Sequence, residues 1–378
     1  MGISAYSPVN PSNIMASIEK HIQVCSEVQF ISQQWRDRSM SLTGSVNPPQ
    51  TTILELLRAV WIGPVLYAMA DVGIADRLAI SPQTPEEVAV ATGCDAHAMS
   101  RLIRTLAAIG FCERDEQGRV HLTPTGHLMR SDVPGTFAPY VLAIHAPHVE
   151  RAWAALPAAI RSGEPAFDAV HGSGFWDFLS AHPEDQALFD AAMAGGADRK
   201  VKLIQQTQDL TTVNTIVDVG GGSGAMLAAI LATNPHLRGV LLDREEALAD
   251  AGQVLRTAGV LEQCDLVPGD FFASIPAGGD IYVLSLILHD WRDADAVRIL
   301  ESCHRAMAPG ARIWLIENVL DAGDTFDSRK LLDMLMLILF GSQERDFDEY
   351  ARLLETAGFS GILHHRPGPG YSIIEAIR

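Results

Sequence analysis

A glycine-rich segment is the first feature of this sequence with chemical meaning. Residues 220–224 read GGGSG and lie between an apolar run suited to a buried strand and a helical segment. Glycines at such a junction let the backbone turn sharply and approach a ligand at the helix N-terminus. Asp243 ends the next predicted strand, where a carboxylate can accept both hydroxyl protons of a ribose. The spacing predicts a nucleoside-binding loop.

The charge beside this loop bears on which nucleoside it binds. Gly220, Gly222 and Ala225 also fit the loop that binds NAD, so an NAD(P) oxidoreductase is an alternative. Asp218, however, lies two residues before the glycines, where its charge would oppose a pyrophosphate but suit an ammonium or a sulfonium. A tight strand-to-helix turn without a ligand is the remaining interpretation. The aspartates favour a positively charged ligand.

Two further segments could complete such a site. Asp270 and Phe271 follow the third predicted strand and suit the amine and the face of an adenine. His289 follows a buried strand at its carboxyl end, where ligands bind in parallel sheets. It is a candidate general base, although a structural histidine at a strand end is the simpler alternative. Asp290 and Trp291 are expected to shape the loop.

The elements that must position these residues alternate between strand and helix from about residue 212 onward. This alternation predicts an α/β fold with a doubly wound, Rossmann-like sheet. The predicted helices include Glu246–Thr257, and the last two strands lie around 361–365 and 371–376. Because only five residues separate those two strands, they must form an antiparallel hairpin. This ending differs from the second mononucleotide half of a dinucleotide-binding fold.

The first half of the chain is mostly helical. Thr84 to Glu87 begins a helix with a capping box, Gly93 ends it, and a second helix and two short strands follow. This order predicts a winged helix. A ligand-responsive DNA-binding protein is therefore a rival interpretation, but the formal charge of −18 argues against binding to phosphate backbones.

Residues 1–50 are predicted to form an N-terminal arm. Apolar residues recur every three or four positions from Ile14 to Trp35, as expected for one face of a helix ending near Met40. The tract Thr43 to Gln50 is typical of a linker. The apolar stripe could pack on its own subunit or on a second one. We expect domains at 1–50 (arm), 51–195 (helical domain) and 196–378 (catalytic domain).

Residues 217–224, 269–272 and the LHDW segment at 288–291 together resemble the plant-type small-molecule O-methyltransferase family, which includes caffeic acid and flavonoid enzymes and bacterial antibiotic-pathway relatives. The resemblance covers about residues 51–378. It implies a class I methyltransferase fold, a helical dimerisation domain and an intimate homodimer. It also implies S-adenosylmethionine as the cofactor and a small-molecule acceptor. Methylation at carbon or nitrogen by the same fold is the alternative to O-methylation.

The resemblance also implies roles for individual residues. His289 would be the general base, with Glu317 and Glu344 as its orienting carboxylates. A free imidazole (pKa ~6.5) is mismatched with a phenol (~10), and a neighbouring carboxylate would reduce that gap by ~1–3 units. The residues implied to contact the cofactor are Asp218, Gly220, Gly222, Asp243, Asp270, Phe271 and Ser285. Plant members often have lysine in place of Ser285, so the contact of this residue with the cofactor lacks a positive charge in this chain.

An apolar set is expected to build the acceptor pocket. Met193, Asp333 and Met336 are implied to face the acceptor by the resemblance, and Phe189 and Trp153 belong to the same set. The simpler alternative is that most of the apolar set is ordinary core. His145 and His148, three residues apart, are expected to pack or to contact the acceptor, and no metal is predicted.

Composition places the protein among ordinary globular enzymes. The chain has 378 residues, 48% of them hydrophobic, and five scattered cysteines without a CxxC pair. This usage fits reduced thiols in a cytoplasmic enzyme. No signal peptide, membrane partner or nucleic-acid partner is expected.

Overall fold

The computed structural model describes residues 48–368 and 370–378. The predicted arm helix and most of the predicted linker lie outside the described residues. The chain divides into two compact units, Met1–Ala138 and Pro139–Arg378. This division by packing falls inside the predicted domain 51–195, so the domain boundary at residue 195 stays a prediction.

The first unit is helical and carries one small hairpin. Its helices are α1 (Pro49–Ala59), α2 (Ile62–Asp71), α3 (Ile74–Ile80), α4 (Pro85–Thr92) and α5 (Ala96–Ala108), followed by the strands β1 (Cys112–Arg114) and β2 (Val120–Leu122) and the short helix α6 (Pro124–His127). Strands β1 and β2 pair antiparallel. Since α1 begins at Pro49, the last two residues of the predicted linker are helical.

Local signals in the sequence explain where α4 and α5 begin and end. The Thr84 hydroxyl accepts the Glu87 N–H, and the Glu87 side chain accepts the Thr84 N–H, which completes a capping box. Gly93 ends α4 with a left-handed φ of 70°, and Asp95 caps α5. The predicted order of helix, turn, helix and hairpin is therefore present; its classification as a winged helix stays a prediction.

Helix α1 exposes much of its apolar surface. The segment Pro49–Asp71 has the length and composition of a membrane span, with a mean hydropathy of 1.5, and only 6% of it is buried. The large apolar side chains that it exposes are Ile53, Leu54, Leu56, Leu57, Val60 and Trp61. A patch of this kind marks a surface that contacts something other than water.

The second unit begins with a set of short helices. They are α7 (Ala138–Ile144), α8 (Pro147–Ala154), α9 (Leu156–Ser162), α10 (Ala166–His171), α11 (Phe175–Ala181), α12 (Pro183–Ala194) and α13 (Ala197–Thr207). Several of them share an aromatic-rich core with the later helix Arg329–Phe340.

A seven-stranded sheet follows. Its strands are β3 (Thr215–Val219), β4 (Arg238–Asp243), β5 (Cys264–Pro268), β6 (Ile281–Ser285), β7 (Arg312–Glu317), β8 (Ser360–His365) and β9 (Ser372–Ile377). Their spatial order is β5-β4-β3-β6-β7-β9-β8. The first five are parallel, whereas β9 is antiparallel to both β7 and β8. The predicted α/β class and the terminal antiparallel hairpin are confirmed.

The remaining helices connect these strands. They are α14 (Ala225–Thr233), α15 (Ala251–Thr257), α16 (Asp293–Ala306), α17 (Arg329–Phe340) and α18 (Phe347–Thr356). One face of the sheet packs against α13, α14 and α15, and the other packs against α16 and α18. The helix predicted to begin at Glu246 was placed too early, because residues 245–250 form turns and α15 begins at Ala251.

Candidate active site

The glycine-rich loop joins β3 to α14 and needs its glycines for two reasons. Gly220, Gly222 and Gly224 have φ values of 74°, 57° and 71°, in the left-handed region that side chains disfavour. At Gly221 a Cβ atom would lie 2.3 Å from a methyl carbon of Leu241 and 2.6 Å from Oδ2 of Asp218. The sequence motif thus corresponds to a loop that packs closely on the strand ends beneath it.

Asp218 lies directly under this loop. It is 1% exposed, and neither carboxylate oxygen has a hydrogen-bond partner among the described residues. Burial raises the pKa of Asp218 to about 7, against the opposing charge of Lys200. The Ser285 hydroxyl, at the end of β6, is also buried without a partner. Since buried polar atoms are normally paired, these atoms fit a site for a polar, positively charged ligand.

Asp243 ends β4 and organises the loop from the other side. Its Oδ2 accepts the N–H of Gly222 at 2.8 Å, and its Oδ1 accepts the N–H of Arg244 at 2.7 Å. Burial raises its pKa, and the two backbone donors oppose this shift. Each carboxylate oxygen can accept a second hydrogen bond, so the geometry leaves room for the predicted ribose contact. The contact with the loop was not foreseen.

The ring of Phe271 lies beside the glycine-rich loop. Phe271 lies 3.6 Å from the position that a Cβ of Gly220 would occupy. Its ring belongs to a cluster with Phe272 and Trp291, with centroids 4.7–6.0 Å apart. Asp270 is exposed and accepts the Phe272 N–H at 2.8 Å. Together, a glycine loop, unpartnered acidic groups and an aromatic wall fit an adenosyl ligand with a positive charge.

His289 lies in a 3-10 turn, Leu288–Asp290, just after β6. Its Nδ1 lies 2.9 Å from Oε1 of Glu344, and its Nε2 lies 3.4 Å from Oδ1 of Asp290. Burial alone would lower the pKa of His289, but the carboxylates of Glu344, Asp290 and Glu317 outweigh it and raise the pKa to about 10. The His289–Glu344 pairing implied by the resemblance is therefore present as a buried hydrogen bond.

Glu317 accepts hydrogen bonds from the backbone of the turn that carries His289. Its Oε1 accepts the N–H groups of Leu288 at 3.0 Å and Ile287 at 3.3 Å. Burial raises its pKa to about 7, and His289 opposes the shift. Glu317 thus fixes the turn that carries His289, while its Oε2 has no partner among the described residues. Its role as a direct orienting group stays a prediction.

Backbone strain occurs at the same turn. Leu286, directly after β6, has a φ of 56°, the one positive φ outside glycine in the described residues. A non-glycine residue in this region costs about 1–2 kcal/mol, and such strain is concentrated at functional sites. The sequence carries no signal for the positive φ of Leu286.

Glu344 is held by its own neighbours. Its N–H donates to Oδ1 of Asp333 at 2.8 Å. The following residue, Arg345, is fully buried and donates to the carbonyls of Leu288 and Trp291 and to Asp293. Arg345 therefore ties the segment carrying Glu344 to the turn carrying His289. Sequence reasoning did not assign it a role.

Two aspartates near Glu344, Asp333 and Asp346, have structural roles. Asp333, implied to face the acceptor, uses one oxygen to position Glu344, and its acceptor contact stays a prediction. Asp346 caps α18, with its Oδ1 accepting the Glu349 N–H at 2.9 Å and the Glu349 side chain accepting the Asp346 N–H. Helix caps of this kind prefer aspartate or threonine, and this preference accounts for the aspartate at position 346.

The aromatic residues around the predicted acceptor positions Trp153 and Phe189 divide into two groups. Phe167 and Phe175 are 0% and 4% exposed and belong to the core of the helical subdomain. Trp153 and Phe189 are half-buried and pack against that core. Of the predicted acceptor methionines, Met193 is half-buried and Met336 is buried at 5% exposure. Their contact with an acceptor stays a prediction.

The histidines considered as metal ligands have separate partners. His145 Nδ1 lies 2.7 Å from Glu150, and His148 Nδ1 lies 3.7 Å from Asp185. In the described part of the chain, the group whose ligand atoms converge is His289, Glu317 and Glu344, within 4.8 Å of one another. The hydrogen bonds given above already account for that convergence.

Comparison with known proteins identifies the family. Residues 153–360 match the family model of the O-methyltransferase domain, and residues 54–132 match the O-methyltransferase dimerisation domain. The chain belongs to this methyltransferase family. It is 37% identical over 329 residues to a phenazine O-methyltransferase of Lysobacter antibioticus, covering 87% of this chain and 96% of the relative.

Other members of the family bear on the reaction and the cofactor. An 8-amino-8-demethylriboflavin N,N-dimethyltransferase of Streptomyces davaonensis is 35% identical over 315 residues, covering 82% of this chain and 90% of the relative. A solved methyltransferase of calicheamicin biosynthesis, with S-adenosylhomocysteine bound, has a TM-score of 0.76 and 31% identity, covering 88% of this chain and 99% of that one. The protein is an S-adenosylmethionine-dependent methyltransferase, and its relatives modify both oxygen and nitrogen.

Proposed function

We propose that this methyltransferase methylates a phenolic hydroxyl of a small aromatic acceptor, with His289 as the general base. The observation that carries the proposal is the buried hydrogen bond of 2.9 Å between Nδ1 of His289 and Glu344. With Nδ1 bonded to Glu344, Nε2, which lies 3.4 Å from Oδ1 of Asp290, is the ring nitrogen that would take a proton from an acceptor.

The cofactor supplies a methyl group on a positively charged sulfur when it is bound. Asp218, Gly220, Gly222 and Ser285 would hold it from the loop and the strand ends, and Asp243, Asp270 and Phe271 would hold its adenosine. The fit rests on the unpartnered oxygens of Asp218 and Ser285 and on the absence of room for side chains at Gly220 and Gly221.

The chain itself must orient the acceptor and remove its proton. A base near pKa 10 matches a phenol of pKa ~10, whereas a free imidazole falls about 3.5 units short, or roughly 5 kcal/mol. Glu344, and the charges of Asp290 and Glu317 behind it, remove most of that deficit. A positive charge bound nearby favours the neutral imidazole that the step requires.

Subunit association belongs to the same proposal. The exposed apolar residues of α1 fall in or beside the segment 54–132 that matches the dimerisation domain. A second copy of the chain would cover them, which accounts for an apolar helix without a membrane. We propose a homodimer that acts in the cytoplasm on a small molecule.

The acceptor atom can be tested directly. Purified protein is incubated with S-adenosylmethionine labelled with carbon-13 in its methyl group and with a panel of hydroxylated or aminated aromatics. The proposal expects phenols to gain one methyl mass and the carbon signal of a methyl ether. A signal from an N-methyl or C-methyl group, with phenols unchanged, would favour the alternative suggested by the N,N-dimethyltransferase relative.

A further inference from the structure

Lys200 is a buried lysine that neither the motifs nor the proposed mechanism uses. It lies in α13 and is 7% exposed, while Lys202 on the same helix is exposed. Its ammonium lies 5.6 Å from the ring centroid of Tyr371. Lysine is almost never buried unless it is paired with an opposite charge, so this position calls for a partner.

Two carboxylates and the contact with Tyr371 relate Lys200 to the strand ends of the sheet. The carboxylate of Asp218 and then that of Glu317 oppose the effect of burial, which lowers the pKa of Lys200 to about 8. Asp218 is in β3 and Glu317 ends β7, and β6 lies between these two strands. Tyr371, whose ring lies 5.6 Å from the Lys200 ammonium, directly precedes Ser372, the register partner of Glu317 at the carboxyl end of β7. This contact places Lys200 at the carboxyl edge of the sheet, where β6 ends at Ser285.

This place is the crevice where open α/β sheets bind ligands. Strands β3, β4 and β5 run in one direction across the sheet, and β6 begins the other side. Ligands bind at the carboxyl ends of the strands at such a switch point. Asp218 and Ser285 both present buried oxygens without a hydrogen-bond partner among the described residues.

The combination of groups restricts what can satisfy them. A ligand that carries only a positive charge would pair with Asp218 but would be repelled by Lys200. A ligand that carries only a negative charge would pair with Lys200 but would be repelled by Asp218. An α-amino acid group carries an ammonium and a carboxylate on adjacent atoms, so it can satisfy both charges at once. Ser285 can add a hydrogen bond but no charge.

We propose that Lys200 binds the carboxylate of the methionine moiety of S-adenosylmethionine, beside an ammonium site formed by Asp218 and Ser285. The inference rests on the cofactor placement in the proposed function and adds a residue to it. The charge needed at this end of the cofactor then comes from α13, eighteen residues before Asp218 in the chain.

Calorimetric binding of two ligands tests the proposal. S-adenosylhomocysteine has the amino acid group, whereas 5′-methylthioadenosine has the adenosine and the thioether without it. We expect Lys200→Met to weaken binding of S-adenosylhomocysteine by ~10–100-fold, as for loss of one hydrogen bond to a charged group. Binding of methylthioadenosine should stay within about twofold of the wild type.

Three variants complete the design. Lys202→Met, which removes an exposed lysine from the same helix, should bind both ligands like the wild type. Lys200→Arg, which keeps the charge, should retain most of the affinity for S-adenosylhomocysteine. Lys200→Gln gives the same readout as Lys200→Met if the methionine variant does not fold.

The outcomes separate the inference from the proposed function. Unchanged binding of S-adenosylhomocysteine by Lys200→Met and Lys200→Gln would overturn the inference alone. An equal loss of both ligands would also overturn it, because it would show that Lys200 only supports the loop. Failure of the wild-type protein to bind either ligand would overturn the cofactor site itself.

Discussion

Replacing Glu344 by glutamine removes one charge from the proposed base and little else. The glutamine carbonyl can still accept a hydrogen bond from Nδ1 of His289, so the ring keeps its orientation and its tautomer. An opposite charge at hydrogen-bond distance shifts a pKa by ~1–3 units, or about 1.4–4 kcal/mol at 1.36 kcal/mol per unit. The 2.9 Å separation between two buried groups places this pair in that range.

The expected result is a fall in kcat together with a change in pH dependence. We expect Glu344→Gln to lower kcat by ~10–100-fold, which at most reaches the lower end of the 10²–10⁴-fold contribution of a general base, because the base itself is kept. The base must be neutral to accept a proton, so activity rises with pH through the pKa of His289. Because glutamine no longer raises that pKa, the acidic limb of kcat/KM should move to lower pH by ~1–3 units while the plateau falls.

The assay is the rate of methyl transfer to a phenolic acceptor between pH 5 and 10, together with calorimetric binding of S-adenosylmethionine. Glu355→Gln is the control, because Glu355 is exposed on α18. A variant of Glu344 with the wild-type kcat and an unmoved acidic limb would refute the reasoning about basicity. Loss of cofactor binding would instead show that Glu344 supports the fold of the site.

Further predictions concern the loop, a helix cap and the subunit contact. Gly221→Ala places a methyl group 2.3 Å from Leu241 and should weaken binding of S-adenosylmethionine at least ~10-fold by calorimetry, whereas Gly252→Ala, in a helix with open space, should not. Asp346→Ala should lower the free energy of unfolding by ~1 kcal/mol in urea, and Asp346→Thr should recover most of it. Leu57→Glu should shift sedimentation from dimer toward monomer, and unchanged sedimentation would place the interface elsewhere.

The sequence predicts the sheet well because strand and helix periodicity are local properties. The predicted alternation of strand and helix from about residue 212 is present, and the antiparallel hairpin followed from a connection too short for a parallel crossover. The start of α15 was missed because residues 245–250 have helical composition but form turns. Composition does not separate a turn from the first turn of a helix.

The site was predictable only where a motif fixes a residue near a strand end. The glycine loop, Asp218 and Asp243 are set by such local positions, and the resemblance paired His289 with Glu344. Glu317 accepts the backbone N–H groups of Ile287 and Leu288, directly after Leu286, and neither these hydrogen bonds nor the unusual φ of Leu286 leaves a mark in the sequence.

Contacts between distant segments were the least predictable. Arg345 reaches the carbonyls of Leu288 and Trp291, and the buried Lys200 in α13 lies over the ring of Tyr371. Both residues lie in polar or amphipathic stretches where an exposed position is the usual expectation for a charged side chain. Their burial is decided by tertiary packing.

The most direct test of the central claim is chemical rescue of His289→Ala. The variant should bind S-adenosylmethionine with near wild-type affinity but transfer methyl groups to a phenol at least ~10²-fold more slowly. Added imidazole should then restore the rate in proportion to its concentration, since it can occupy the space and accept the proton. A His289→Ala enzyme that methylates the phenol at the wild-type rate without imidazole would contradict the account.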